Sequence, residues 1–239
     1  MRVARTRSTQ DVVLRAARDG AGEGFCCLAA EQTAGRGRQG REWVAPPGAG
    51  LLASVLLRRS PTVAPGIPFA AGLAVVDVLA AGPGVAAGLK WPNDVLVDRR
   101  KLAGILCEVE PARSSGEKLA IALGLGINLH VDQFPDGFEA VSLHTLVTKP
   151  PAAEELLVAW RDAFAARIAT LEQGGMGAIL DDWRRSAVGL GESVSVAGPA
   201  GVIDGVAIDV GDDGALLVEA SGQTRRFLAG DVHLRTRAG

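Results

Sequence analysis

Three glycines and three arginines interleave in Gly35-Arg36-Gly37-Arg38-Gln39-Gly40-Arg41, and Trp43 closes the run. Glycine lets a backbone bend tightly and bring its N–H groups close to an anion. Arginine adds planar, permanently charged forks that match phosphate and carboxylate. Trp43 can cover an aromatic base or stack on a guanidinium. The run also spells G-x-G-x-x-G, the pattern of a dinucleotide-binding turn, which must open a helix. Here the glycines run into Trp43 and then Pro46-Pro47-Gly48, where no long helix can begin. The dinucleotide reading fails on that context. A solvated surface turn and a single-strand nucleic-acid contact remain as alternatives. The apolar strands on either side favour a clasp over a small anionic ligand.

A second constellation runs from Lys90 to Leu106. Lys90-Trp91-Pro92-Asn93-Asp94 gathers a cation, an amide and a carboxylate around a turn stiffened by proline. Asp94 is a candidate for the metal side of a phosphate site, Lys101 is a second cation across a hairpin, and Gly104 permits close approach to its strand. Each alone has a bland reading: solvated lysines, a core tryptophan, turn-forming Asn93-Asp94. Together with the Gly-Arg loop they read as one site. Cys26, Cys27 and Cys107 are odd in number, two are adjacent, and none has C-x-x-C spacing. They form neither a disulfide framework nor a zinc site and read as small buried hydrophobes in a reducing compartment. His130, His144 and His233 are isolated and receive no role.

These residues need a scaffold. Ser8 or Thr9 caps a helix whose stripe is Val12, Val13, Ala16 and Ala17, with Gly20 as its stop. "FCCLAAE" and "LLASVLLRR" read as buried strands before and after the loop. A buried helix runs from about Pro68 to Ala81. "DVLVD" and "KLAGILCEVE" form a hairpin around Arg99-Arg100, and "KLAIALGLGINLHV" follows the turn "PARSSGE". Helical periodicity occupies Ala152 to about Gln173 and about Met176 to Arg185, with Leu156, Trp160, Phe164 and Ile168 on the core face. After Gly189 the texture changes to "ESVSVAG", "GVIDGVAIDVG", "GALLVEAS" and "TRRFLAGDVHLR", short alternating strands of a small all-β barrel. The expected fold is α+β, a mixed or antiparallel sheet with helices over residues 1–188, plus a barrel over 189–239.

Composition bounds the rest. At 22% charged and 48% hydrophobic residues, the chain reads as globular rather than disordered. A formal net charge of -2 gives no global pull toward nucleic acid. The N-terminus lacks the apolar core of a signal peptide. Ile67–Leu89 is apolar enough to suggest a membrane span, but Asp77 sits at its middle, where insertion costs roughly 2.5–3.5 kcal/mol, and Pro83-Gly84 break it. The expected location is the cytoplasm.

The chain resembles the biotin protein ligases in "GRGRQGREW" (Gly35–Trp43), "KWPNDVLV" (Lys90–Val97), "KLAGIL" (Lys101–Leu106), "GLGINL" (Gly124–Leu129) and "RSTQ" (Arg7–Gln10). Gln39 and Gln10 depart mildly, standing where a basic residue and an asparagine are common. The resemblance implies a class II synthetase-like catalytic domain with a C-terminal SH3-like barrel. It implies activation of biotin by ATP with Mg²⁺ and transfer to a lysine of a biotin carboxyl carrier domain. For biotin it implies Ser8, Thr9, Gln10, Gln32, Gly35, Arg36, Gly37, Arg38, Lys90 and Gly104. For ATP it implies Arg36, Arg38, Arg41, Trp43, Lys90 and Asn128. Lys90, Arg38, Asp94 and Lys101 are the expected catalytic set, with Lys90 where carboxylate meets phosphate. No protein metal ligands are assigned; Mg²⁺ is expected through the phosphates. The family's repressors carry an N-terminal helix-turn-helix domain, and with the Ser-Thr element at residue 8 the expectation is a ligase with no DNA or membrane partner. A homodimer through the strand near Gly104–Glu110 is a further expectation. The alternative within the chemistry is a lipoate ligase or a lipoyl or octanoyl transferase.

Overall fold

Uninterrupted apolar runs build the centre of the larger sheet in a computed structural model that describes residues 1–110, 118–198, 201–228 and 230–234. Strands β3 (Gly50–Arg59) and β7 (Leu119–Asn128) pair antiparallel along their whole length, from Gly50 opposite Asn128 to Arg59 opposite Leu119. With β1 (Arg2–Thr6), β2 (Cys26–Gln32), β4 (Gly88–Lys90), β5 (Asp94–Val97) and β6 (Arg100–Glu110) they form a seven-stranded sheet. Its order is β1-β2-β3-β7-β6-β5-β4. Only β1 and β2 run parallel, so the sheet is mixed, as expected.

Strand alternation divides the sheet into two faces. Leu51, Ala53, Val55 and Leu57 join the main core beneath helices α2 (Ile67–Ala81), α3 (Ala153–Gly174) and α4 (Gly177–Ser186). On the opposite face Cys27, Leu56 and Ala122 pack on Val13 of α1 (Thr9–Arg18). Helix α2 is apolar throughout because sheet and helices cover it; its length and composition would also suit a membrane span. Its one carboxylate, Asp77, receives a two-point hydrogen bond from Arg167 of α3, at 2.7 and 2.8 Å.

Strands β8 (Ser193–Gly198), β9 (Gly201–Val210), β10 (Leu216–Ala220), β11 (Gln223–Phe227) and β12 (Asp231–Leu234) form an antiparallel sheet ordered β11-β10-β9-β8-β12. The ladder does not close between β11 and β12 among the described residues. This smaller sheet leans on the larger unit. Trp91 Nε1 donates to the Gly214 carbonyl at 2.9 Å, and Arg99 makes a two-point bond to Glu192.

Several local readings needed correction. Strands β1 and β4 carry too few apolar residues to be read from pattern, and form because β2 and β5 offer them open edges. The hairpin turn is Asp98-Arg99, one residue before the expected pair, with φ of 48° and 64°. Two left-handed residues suit the twist of a two-residue hairpin. "TRRFLAGDVHLR" splits into β11 and β12 on opposite edges of the sheet. The turn "PARSSGE" lies outside the described residues, as do Ala229 and Arg235 within the last strand reading.

Candidate active site

Ser8 caps α1 by accepting from Gln10 N at 3.3 Å, which buries Ser8, Thr9 and Gln10 over the sheet. Thr9 N and Oγ1 donate to Gln32 Oε1 at 2.7 and 3.0 Å. The Thr9 hydroxyl has one proton, and Gln32 Oε1 can only accept. Ser54 Oγ, 2.7 Å from Thr9 Oγ1, must therefore be the donor to it. That leaves lone pairs on Ser54 Oγ and the N–H groups of Gln32 to face a cavity that both residues line.

The cavity holds about 150 Å³ and crosses the sheet from β3 to β5. That is three ladder spacings, about 14 Å. Its floor is glycine. Gly104 and Gly126 are register partners on β6 and β7, and Gly124 is paired with Leu106. A Cβ at Gly104 would come within 2.9 Å of the Trp43 ring, and one at Gly126 within 2.6 Å. The indole thus lies flat in a socket that no other residue type leaves open. A Cβ at Gly124 would meet the Gln10 amide at 3.1 Å.

Charge gathers at the β5 side. Lys101 Nζ is 2.6 Å from Asp94 Oδ1 and 5.5 Å from the centre of the Trp43 ring. Asn128 Nδ2 donates to the carbonyls of Lys101 and Val141 at 3.3 and 3.2 Å, which ties down the backbone that carries this lysine. Arg38 lines the same cavity with its guanidinium 6.0 Å over Trp91. Burial lowers its proton affinity, with Asp231 opposing that effect. A guanidinium stays charged regardless, so a desolvated one calls for an anion.

Three of the cavity's polar atoms, Gln10 Oε1, Arg38 Nη1 and Trp43 Nε1, are buried without a hydrogen-bond partner among the described residues. Each such group costs about 1–3 kcal/mol. One acceptor and two donors unmet in a single cavity fit a polar, anionic ligand.

The expected site residues separate into groups. Ser8, Thr9, Gln10, Gln32, Arg36, Gly37, Arg38, Arg41, Trp43, Asp94, Lys101, Gly104 and Asn128 line the cavity. Gly35 stands behind it, where its missing Cβ makes room for the Trp43 carbonyl. Lys90, which the resemblance puts where carboxylate meets phosphate, does not line the cavity directly; its ammonium lies 3.4 Å from the cavity-lining carboxylate of Asp94, and the residue also lines a small cleft with Trp91 and Trp183. Lys101 is the lysine that reaches the cavity. Arg36, implied for both ligands, lines the cavity with its guanidinium held by Glu108 and Asp11, whose hydrogen bonds raise its proton affinity. Arg41 likewise bonds to Asp231 of β12. Only Arg38 of the three loop arginines lacks a carboxylate partner among the described residues.

Sequence reading missed Ser54, Gly126, Phe134 and Phe138, which also line the cavity, as does Asn93, the amide of the Lys90–Asp94 constellation. Ser54 had a signal, a lone hydroxyl inside a buried apolar strand. Gly124 and Gly126, two apart on one strand, had another. Phe134 and Phe138 sit in an irregular segment and gave none. For Mg²⁺, no group of three or more His, Cys, Asp or Glu side chains converges among the described residues. The donors present suit an ion carried on a nucleotide's phosphates rather than one held by protein ligands alone.

Known proteins resemble this chain along nearly all of it. Residues 3–128 match the Biotin/lipoate A/B protein ligase family, and residues 189–235 match the Biotin protein ligase C terminal domain. A biotin–[acetyl-CoA-carboxylase] ligase of Mycobacterium tuberculosis is 38% identical, with 98% of this chain and 88% of the relative covered. One from Paracoccus denitrificans is 35% identical, over 96% and 98%. The structure of a biotin protein ligase from Aquifex aeolicus in complex with biotin and ATP superimposes with a TM-score of 0.81 at 26% identity, covering 98% and 97%.

Proposed function

The chain belongs to the Biotin/lipoate A/B protein ligase family, and from that premise we propose how its residues divide a two-step biotinylation. The enzyme activates biotin with ATP and transfers it to a lysine of a biotin carboxyl carrier domain. A biotin carboxylate oxygen attacks the α-phosphorus and pyrophosphate leaves, giving biotinyl-5′-adenylate. The lysine amine then attacks the acyl carbon and AMP leaves.

Both reactants of the first step are anions. The observation that carries the reading is Arg38, desolvated and without a carboxylate partner among the described residues, in one cavity with the Lys101–Asp94 pair. Preorganised cations at the point where charge builds up cost no reorganisation during reaction. Lys101 takes the carboxylate–phosphate junction, Arg38 the phosphate, and Asp94 fixes the Lys101 ammonium. Lys90 acts through Asp94 rather than on substrate. Magnesium, arriving with the nucleotide, would supply further neutralisation of phosphate charge. Arg41, Trp43 and Asn128 belong to the nucleotide side.

Biotin is favoured over a lipoyl or octanoyl substrate by the polar network over β3. Ser54 Oγ lone pairs accept and Gln32 Nε2 donates, complements of the N–H and C=O groups of a cyclic urea. A dithiolane ring or an alkyl chain would leave them unmet. Pyrophosphate release from ATP with biotin or lipoate, and acyl transfer from an octanoyl thioester without ATP, separates these readings. Activity only in the last assay would end the biotin assignment.

Residues 1–188 hold the chemistry in this reading, and residues 189–239 brace it. ATP use and a carboxylase acceptor are compatible with the cytoplasmic location proposed for the enzyme. The net charge of -2 supports a protein without a DNA partner. Beyond Ile105, which Asn93 still holds, β6 has no strand partner on the β5 side among the described residues, and Val109 there is 47% exposed. We propose pairing of two subunits along that edge, tested by light scattering of wild type and Val109→Lys.

A further inference from the structure

Arg36 lines the cavity, yet its guanidinium turns to two carboxylates. Nε and Nη2 donate to Glu108 at 2.9 and 2.6 Å, and Nη1 donates to Asp11 at 2.7 Å. Asp11 lies in the first turn of α1, beside Thr9 and Gln10. Glu108 stands on β6 four residues beyond Gly104. One side chain from the Gly-Arg loop therefore joins the helix and the strand that form two walls of the cavity.

Other ties at this point are few. Gly37 N bonds to Arg41 O at 2.7 Å and Trp43 N to Gly35 O at 3.0 Å, both inside the loop. Among the described residues, every side-chain hydrogen bond that leaves Gly35–Arg38 for another element comes from Arg36. The charge count gives a second reason for the arrangement. Two carboxylates and one guanidinium sum to -1, an unfavourable field beside a cavity that takes anions. Arg36 draws both carboxylates to itself and screens them from the ligand.

We propose that Asp11 and Glu108 are positioning residues: through Arg36 they clamp the Gly-Arg loop onto α1 and β6 and so retain the reactive acyl-adenylate. Arg36 anchors the first half of the loop, as Arg41 anchors its far end through Asp231, and Arg38 is its working cation. The function of the clamp rests on the ligase reading above.

The variants are Glu108→Gln, Asp11→Asn, Arg36→Gln, the pair Arg36→Gln with Glu108→Gln, and Glu108→Asp as a rescue that keeps the charge. Without ligand, trypsin should cut after Arg38 about fivefold faster in each neutral variant, because the loop opens more often. With biotin and ATP, labelled adenylate should escape about tenfold faster, while in Glu108→Gln and Asp11→Asn the KM for ATP stays within about twofold. The pair should behave as Arg36→Gln alone does, since the carboxylate acts only through the arginine, and Glu108→Asp should recover most of the retention. A folded Glu108→Gln protein that is nicked and retains adenylate as wild type does would overturn the clamp, as would multiplied effects in the pair. If wild type makes no adenylate, the ligase reading falls instead. The nicking comparison needs no ligand and still decides whether the clamp exists.

Discussion

Lys101 holds its ammonium 2.6 Å from Asp94, and both side chains reach the cavity. Lys90 approaches the same carboxylate at 3.4 Å from a different cleft. Two lysines that share one carboxylate are thus unequal in position.

Lys101→Ala should lower the rate of biotin-dependent pyrophosphate release on the order of 10²–10³-fold, about 2.7–4 kcal/mol of transition-state stabilisation. Lys90→Ala should cost no more than about tenfold, because Asp94 keeps its nearer partner. Circular dichroism checks that both variants fold. The reverse ranking would return the central role to Lys90.

Arg38→Gly removes the one loop arginine without a carboxylate partner among the described residues. Adenylate should still form, but leave before the acceptor arrives. Bystander lysines should then be labelled more heavily than by wild type at equal adenylate formation, as read by mass spectrometry. Labelling confined to the carrier domain would mean that Arg38 does not hold the intermediate.

Gly126→Ala places a methyl group 2.6 Å from the Trp43 ring. Overpacking of this kind costs about 1–3 kcal/mol when the neighbour cannot yield. The indole should be displaced, raising KM for substrate and shifting Trp43 fluorescence. Unchanged kinetics would show that the socket has slack.

Asp231→Asn removes the anion that Arg41 grips from β12. The empty loop should then be cut faster by trypsin, while the smaller sheet keeps its anchors at Trp91–Gly214 and Arg99–Glu192. An unchanged cutting rate would separate loop order from the C-terminal sheet.

Desolvation pushes the thiol of Cys107, a half-buried residue packed against the core, up to about 12. Its folded value lies above the unfolded one, about 8.5, so its contribution to stability is full below that pH and is lost as pH rises toward the folded value. At pH 8 the thiol stays protonated and should resist iodoacetamide in the native protein, then react in denaturant. Rapid native alkylation at Cys107, mapped by peptide mass, would contradict this.

Much of the frame was legible because its causes are local. Apolar runs specified β3 and β7, periodicity specified α3, and the Ser8 cap announced α1. The Gly-Arg loop, the Lys-Trp-Pro-Asn-Asp turn and the Lys-Leu-Ala-Gly strand marked the site because glycine, proline and paired charges have few other uses together. The partners of the charges were not legible. Arg36 meets Glu108 at a separation of 72 residues, and Arg41 meets Asp231 at 190. No local pattern records such pairings. Which lysine faces the cavity depends on the register of β5 against β6, including a shift between Val95 and Leu96. Sequence by itself determined the residue types that could neutralise two anions and the strands that carry them. Tertiary structure decided which loop arginine lacks a carboxylate partner among the described residues, because a carboxylate brought from elsewhere in the fold claims each of the other two.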